Sequence, residues 1–168
     1  MFKRILAATD FSEYSNEAIE HACALADTFS SELHLLHVLE SHISSTPVFG
    51  AGLALSPRVQ ESREAAEKGL EQVAPGREAI RATAEGPPFL EILRYAKDND
   101  VDLIVLGTHG RSGLAHVMLG SVAERVVRKA PCPVLTVRHP KHQFVMPFEE
   151  LPTRKLLDSD EEEEDDPQ

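Results

Sequence analysis

The first 138 residues predict a single doubly wound α/β domain built on a five-stranded parallel sheet. Three observations carry this expectation. Short apolar runs of strand length alternate with longer segments of helical periodicity, five of the first and four of the second. Strands separated by helical segments form right-handed crossovers, which make neighbouring strands parallel. The chain has 168 residues, enough for one domain with a real core.

The elements follow in order. RILAAT, Arg4 to Thr9, is a short apolar run that suits a buried strand. SNEAIEHACALADTF then places Ala18, Ala22, Leu25, Ala26 and Phe29 on one helical face. ELHLLHV, Glu32 to Val38, is the second strand, and the Ser- and His-rich stretch from Leu39 to Ser56 is a loop. Ser56 and Pro57 open the next helix, the serine as N-cap and the proline at the first helical position. That helix runs to about Val73, ahead of Pro75-Gly76. AIRAT, Ala79 to Thr83, is the third strand. GPPFLEILRYAKDND carries Phe89, Ile92, Leu93 and Ala96 at helical spacing. VDLIVLG is the fourth strand, VAERVVRKA the fourth helix, ended by Pro131, and PVLTVR, Pro133 to Arg138, the fifth strand.

Composition narrows the function classes. Eight of the acids behind the net charge of −11 lie between Asp158 and Asp166, so the remainder carries only −3. No basic footprint for nucleic acid is present. The residues from His139 to Gln168 read as a C-terminal extension ending in a disordered acidic tail. No segment approaches the ~20 apolar residues of a membrane helix, and the N-terminal apolar run is too short for a signal peptide. A cytoplasmic location is expected. Cys23 reads as a buried thiol, and neither it nor Cys132 has zinc or CxxC spacing.

The stretch GTHGRSGLAHVMLGS, Gly107 to Ser121, joins the fourth strand to the fourth helix. Backbone N–H groups at a helix N-terminus, with the helix dipole behind them, attract phosphate. Glycines permit close backbone approach and positive φ. Two readings stand side by side. The loop wraps a phosphate chain between Gly107 and Gly110 at one end and Gly120 and Ser121 at the other. Alternatively, Ser121-x-x-Glu124 is a capping box that needs no ligand, and the glycines are turn residues. The pattern is neither a P-loop nor GxGxxG. Strand order stays open between 3-2-1-4-5 and 2-1-3-4-5; in the first, the ends of strands 1 and 4 share one crevice.

Gly107-x-x-Gly110, nine residues, then Gly120-Ser121 matches the G-2x-G-9x-G-S/T signature of nucleotide-binding universal stress proteins. KRILAATDFSEYSNEAIEHACALA resembles that family's first strand and helix, HLLHVLE its second strand and APCPVLTVR its last. The resemblance covers about residues 1 to 138 and implies a Rossmann-like domain of order 3-2-1-4-5. It implies ATP bound across strands 1 and 4, with Mg2+ coordinated mainly by the phosphates. On this resemblance Ala8, Thr9 and Asp10 line the strand 1 end of the site, Asp10 near the base or ribose. Val38 lies against the adenine, and Gly107, Gly110, Gly120, Ser121 and Val122 surround ribose and phosphates. It also implies a homodimer paired through strand 5, Pro133 to Arg138. The implied function is an ATP-binding stress-response regulator controlled by its ligand rather than strongly catalytic. A slow ATPase or phosphotransferase, and a nucleotide-free structural dimer, are the alternatives; an unidentified protein partner is compatible with each.

Other residues carry weaker signals. Asp10 is read both as a ligand residue and as a cap for the following turn. His34 and His37, three apart on a strand, point to opposite faces and do not predict a metal site. His109, Arg111 and His116 read as exposed loop residues, with a phosphate contact by His109 or Arg111 as the alternative. No GxSxG, SGGxDS or HxGH pattern is present.

Overall fold

The computed structural model describes residues 2–40, 57–110 and 119–138, with the side chains of 57–59 left out. Ser56, most of the 39–56 loop, Arg111, His116 and the extension from His139 therefore lie outside the described residues. The elements are β1 (Arg4–Thr9), α1 (Glu13–Phe29), β2 (Glu32–Leu39), α2 (Pro57–Gln72), β3 (Ile80–Glu85), α3 (Pro88–Asp98), β4 (Leu103–Gly107), α4 (Ser121–Lys129) and β5 (Val134–Val137). All strands pair in parallel, in the order β3-β2-β1-β4-β5. Between the two orders the periodicity allowed, this one holds. It puts β1 and β4 side by side at the reversal of winding, with Ile5 opposite Leu103 and Ala7 opposite Val105.

The strands alternate their side chains between two cores, as the pleat requires. Ile5, Ala7, Leu33, Leu35 and Val105 pack against Ala18, Ile19, Ala22 and Ala26 of α1 and Leu70 of α2. Leu6, Leu36, Ile104 and Leu106 pack on the other face against Ile92 and Ala96 of α3 and Val126 of α4. Both faces of the sheet are covered, which explains why its strands read as continuous apolar runs. Each fully buried Leu or Ile contributes about 1.5–3 kcal/mol.

Several local expectations need correction. Helix α1 starts at Glu13, two residues before the helical segment read from Ser15, because Ser12 is its N-cap and accepts a bond from the Ser15 N–H at 3.3 Å. Helix α4 is not opened by a capping box. Its N-cap is Gly120, and Ser121 is already helical, with no side-chain cap bond. Gly120 is extended, so the Ser121 hydroxyl is one position too late to cap. Cys23 is half-buried rather than buried, and both cysteines are free thiols; burial raises the pKa of each. Leu25 and Phe29 are only half-buried, whereas Ile19 is buried, so the core face of α1 is turned toward Ile19. Among the described residues no helix is long and apolar enough to cross a membrane.

Candidate functional site

Strand β1 delivers Ala8, Thr9 and Asp10 to the carboxyl end of the sheet, where the chain turns sharply into α1. The turn is built from side chains. The Thr9 hydroxyl accepts from the Phe11 N–H at 2.9 Å and pairs with the Ser15 hydroxyl at 3.0 Å. Asp10 Oδ1 accepts from the Ser12 N–H at 3.1 Å and the Ser12 hydroxyl at 2.5 Å. The carboxylate thus supports the residue that caps α1, which is the capping role read from the sequence. Phe11, at the apex, has φ of 63°, a left-handed conformation uncommon for a non-glycine residue.

Strand β2 runs beside β1 and brings His37 opposite Thr9. The His37 Nδ1–H donates to the Thr9 carbonyl at 2.8 Å, and its ring stacks on Phe11 with centroids 4.3 Å apart. His34 lies on the opposite sheet face, bonded to Tyr95 and Glu32. Val38 follows His37 and packs with the α3–α4 core.

Strand β4 ends at Gly107, and the residues after it are anchored. The buried Thr108 donates its N–H to the Val137 carbonyl at 2.9 Å and accepts the Gly120 N–H at 2.6 Å. The second bond ties the two described ends of the glycine loop together. A methyl group cannot be added at these glycines without contact. A Cβ at Gly107 would lie 2.7 Å from the Tyr14 carbonyl oxygen; at Gly110, 2.6 Å from Asp10 Oδ2; at Gly120, 3.1 Å from the Thr108 carbonyl oxygen. Gly120 has φ of −64°, so positive φ is not why glycine stands there; space is.

These ends border one cleft of about 780 Å³, in the size range of small-molecule sites. Ala8, Thr9, Asp10, Val38, Gly107, Gly110, Gly120, Ser121 and Val122 all line it. Its lining includes apolar Leu36, Val38, Ile92, Leu106 and Val122 and polar Thr9, Ser15, His37, Ser62 and Thr108. Ser121, Val122 and Ala123 of the first turn of α4 line it, and the first N–H groups of a helix have no intrahelical partner. Among the described lining residues there is no Lys or Arg.

Sequence reasoning missed Phe11, His37 and Thr108 as parts of this site. For His37 a signal existed: in order 3-2-1-4-5 the ends of β1 and β2 are adjacent, which brings it beside Thr9. For Phe11 none did, because an aromatic side chain gives no hint of left-handed backbone.

Comparison with known proteins agrees with this architecture. Residues 1–138 match the Universal stress protein family. Universal stress protein MJ0531 of Methanocaldococcus jannaschii is 37% identical over 146 residues, covering 85% of this chain and 86% of that protein. The solved universal stress protein UspA from Lactobacillus plantarum superposes with a TM-score of 0.66 at 28% identity, over 82% of this chain and 98% of that one. The solved MJ0577 of M. jannaschii superposes with a TM-score of 0.63 at 37% identity, over 83% and 97% of the two chains. With the sheet order, the cleft at the β1–β4 junction and these likenesses together, the chain belongs to the universal stress protein family.

Proposed function

We propose that this protein binds ATP in the cleft at the ends of β1 and β4 and acts as a ligand-controlled regulator in the cytoplasmic stress response. One observation carries the reading. The glycines of the G-2x-G-9x-G-S signature, far apart in sequence, border with Asp10 a single cleft that apolar Leu36, Val38, Ile92 and Val122 also line. The residues fit the ligand. Gly107, Gly110 and Gly120 leave backbone bare where phosphate oxygens need close approach, and the α4 N-terminus supplies N–H groups and a favourable dipole. Ser121 adds a hydroxyl. Ala8, Val38 and Val122 offer apolar contact to a base, and Asp10 an acceptor for ribose or base. Mg2+ would be held mainly by the phosphates, offsetting charge that no described lining Lys or Arg offsets.

The preference for a binding role over turnover rests on the family resemblance; at the cleft the Thr108 hydroxyl and His109 Nδ1 lie 3.0 Å apart, so turnover is measured alongside binding. The test is direct: purified protein is treated with acid, and released nucleotide is identified by mass, alongside calorimetry with ATP and a steady-state assay for phosphate release. Tight ATP binding with negligible turnover supports the reading. Rapid turnover supports an enzyme; no binding leaves a structural protein.

The resemblance also supports a homodimer paired through β5. That strand is at the sheet edge, and Leu135 within it is 36% exposed. An apolar edge strand invites pairing. Equilibrium sedimentation showing only monomer at micromolar concentration would rule this out.

A further inference from the structure

We infer that Phe11 is a positioning residue that couples helix α2 to the Asp10 carboxylate, so that the α2 face at Gly69 sets the affinity of the cleft. The inference rests on the reading of Asp10 as a residue of the nucleotide site. Three observations support it. Phe11 follows Asp10 directly and holds a left-handed φ of 63°, a conformation that side chains resist and that surrounding contacts must hold in place. Its ring is held on its face by His37, centroids 4.3 Å apart. His37 is itself fixed by its bond to the Thr9 carbonyl.

A further contact links this arrangement to α2. The far end of the Phe11 ring meets α2 at Gly69, where a Cβ would lie 2.9 Å from Cζ, 3.1 Å from Cε1 and 3.3 Å from Cε2. A position nearly as close to both Cε atoms as to Cζ stands over the face of the ring, at its far end. His37 also stacks on the ring and is held by its bond to the Thr9 carbonyl, so a push from α2 across the ring is resisted there and shifts the Phe11 backbone. That backbone is tied on one side to Thr9 through the Phe11 N–H and is flanked on both sides by the Asp10–Ser12 bonds. Displacing it displaces Asp10, which borders the cleft opposite Gly110. Gly69 does not line the cleft, although Ser62, Ala65 and Ala66 of the same helix do. A glycine inside an otherwise helical stretch disfavours the helix relative to alanine, and the close approach of the ring accounts for it.

The test is a size exchange across this contact in the full chain. Gly69→Ala adds one methyl group outside the cleft and favours the helix. It is expected to weaken MgATP binding by about tenfold, measured by calorimetry, and to speed hydrogen exchange of the Ser12 amide in nucleotide-free protein. Phe11→Leu removes the far end of the ring. Combined with Gly69→Ala, it is expected to return affinity to within about threefold of Phe11→Leu alone. A folded Gly69→Ala protein with parental affinity and a parental Ser12 exchange rate overturns the inference. A loss that Phe11→Leu does not rescue overturns it as well, since the effect then lies in α2 itself. Should the parent chain bind no MgATP, the reading of the cleft fails separately. The Ser12 amide still decides: faster exchange in Gly69→Ala upholds the coupling, and an unchanged rate ends it.

Discussion

A side chain at Gly110 would strike Asp10: its Cβ would lie 2.6 Å from Oδ2. The glycine loop and the β1 end are thus in direct contact, and the carboxylate occupies the space a methyl group needs. Gly110→Ala is expected to swing the carboxylate aside and to weaken ATP binding by about tenfold. In an Asp10→Ala background the same substitution has nothing to displace and is expected to change affinity by less than about twofold. A double-mutant cycle by calorimetry measures the coupling; equal losses in both backgrounds would show that the two residues act independently.

Gly107 and Gly120 are expected to fail in different ways. A Cβ at Gly107 meets the Tyr14 carbonyl, part of the helix α1 backbone, at 2.7 Å. Backbone held in a helix cannot yield cheaply, so Gly107→Ala is expected to cost about 2–3 kcal/mol of stability. Gly120 has ordinary extended dihedrals, and its Cβ would stand 3.1 Å from the Thr108 carbonyl oxygen. Gly120→Val is therefore expected to fold and to lose ATP binding, because the branched side chain fills the approach to the α4 amides. Urea melts and calorimetry separate the two outcomes. A folded Gly120→Val that binds ATP like the parent would remove the phosphate reading of the loop.

Ser121 separates ligand from cap. Since Gly120 is the N-cap and Ser121 makes no cap bond, Ser121→Ala is expected to leave stability within about 0.5 kcal/mol of the parent. If its hydroxyl meets phosphate, ATP affinity falls by about 1–2 kcal/mol. A stability loss of the size of a missing cap, without change in affinity, would restore the capping box.

What was legible in the chain follows from what periodicity encodes. Alternation and helical spacing report which face of an element is buried, so RILAAT, VDLIVLG and the α3 pattern around Ile92 and Ala96 were readable. Strand order is a tertiary property with no local trace, and only the resemblance to a family chose between the two orders. The start of α4 was misread because S-x-x-E is satisfied equally by a serine before the helix and by one inside it. The bond from the Gly120 N–H to the Thr108 carbonyl, which sets the entry of the chain, joins residues twelve positions apart. The sequence singles out the glycines of the loop, and at Gly120 the need is for room and not for unusual φ. The isolated Gly69 in α2 was a readable sign of close approach, whereas its partner Phe11 was not.

Charge balance in the cleft makes a prediction about metal. A carboxylate, Asp10, stands near the glycine loop, and no Lys or Arg is among the described lining residues. Backbone amides carry only partial charge, so no side chain among the described lining residues offsets the charge of a bare triphosphate. ATP affinity is expected to fall by about tenfold or more when Mg2+ is removed with a chelator, while AMP, with less charge, loses little. Equal sensitivity of the two nucleotides would show that the metal acts elsewhere.

At the opposite end of the sheet Asp102, just before β4, is tied to the start of β1. Its Oδ2 accepts the Lys3 N–H at 2.7 Å and the Arg4 N–H at 2.9 Å. These bonds to the ionised form, the Lys3 bond foremost, hold the carboxyl below its ordinary value of 3.8 despite some desolvation. A carboxylate whose pKa is lower in the folded state stabilises the fold above its unfolded pKa, and that stabilisation disappears as pH falls through the folded value. Asp102→Ala is therefore expected to be less stable than the parent at neutral pH. The gap narrows as pH drops below 3.8 and closes once the parent's Asp102 is protonated as well. Urea midpoints of both proteins across this range measure it. A gap that stays constant into strong acid would mean that Asp102 acts through packing and not through its charge, and the junction of β1 with β4 would then owe nothing to the carboxylate's ionisation.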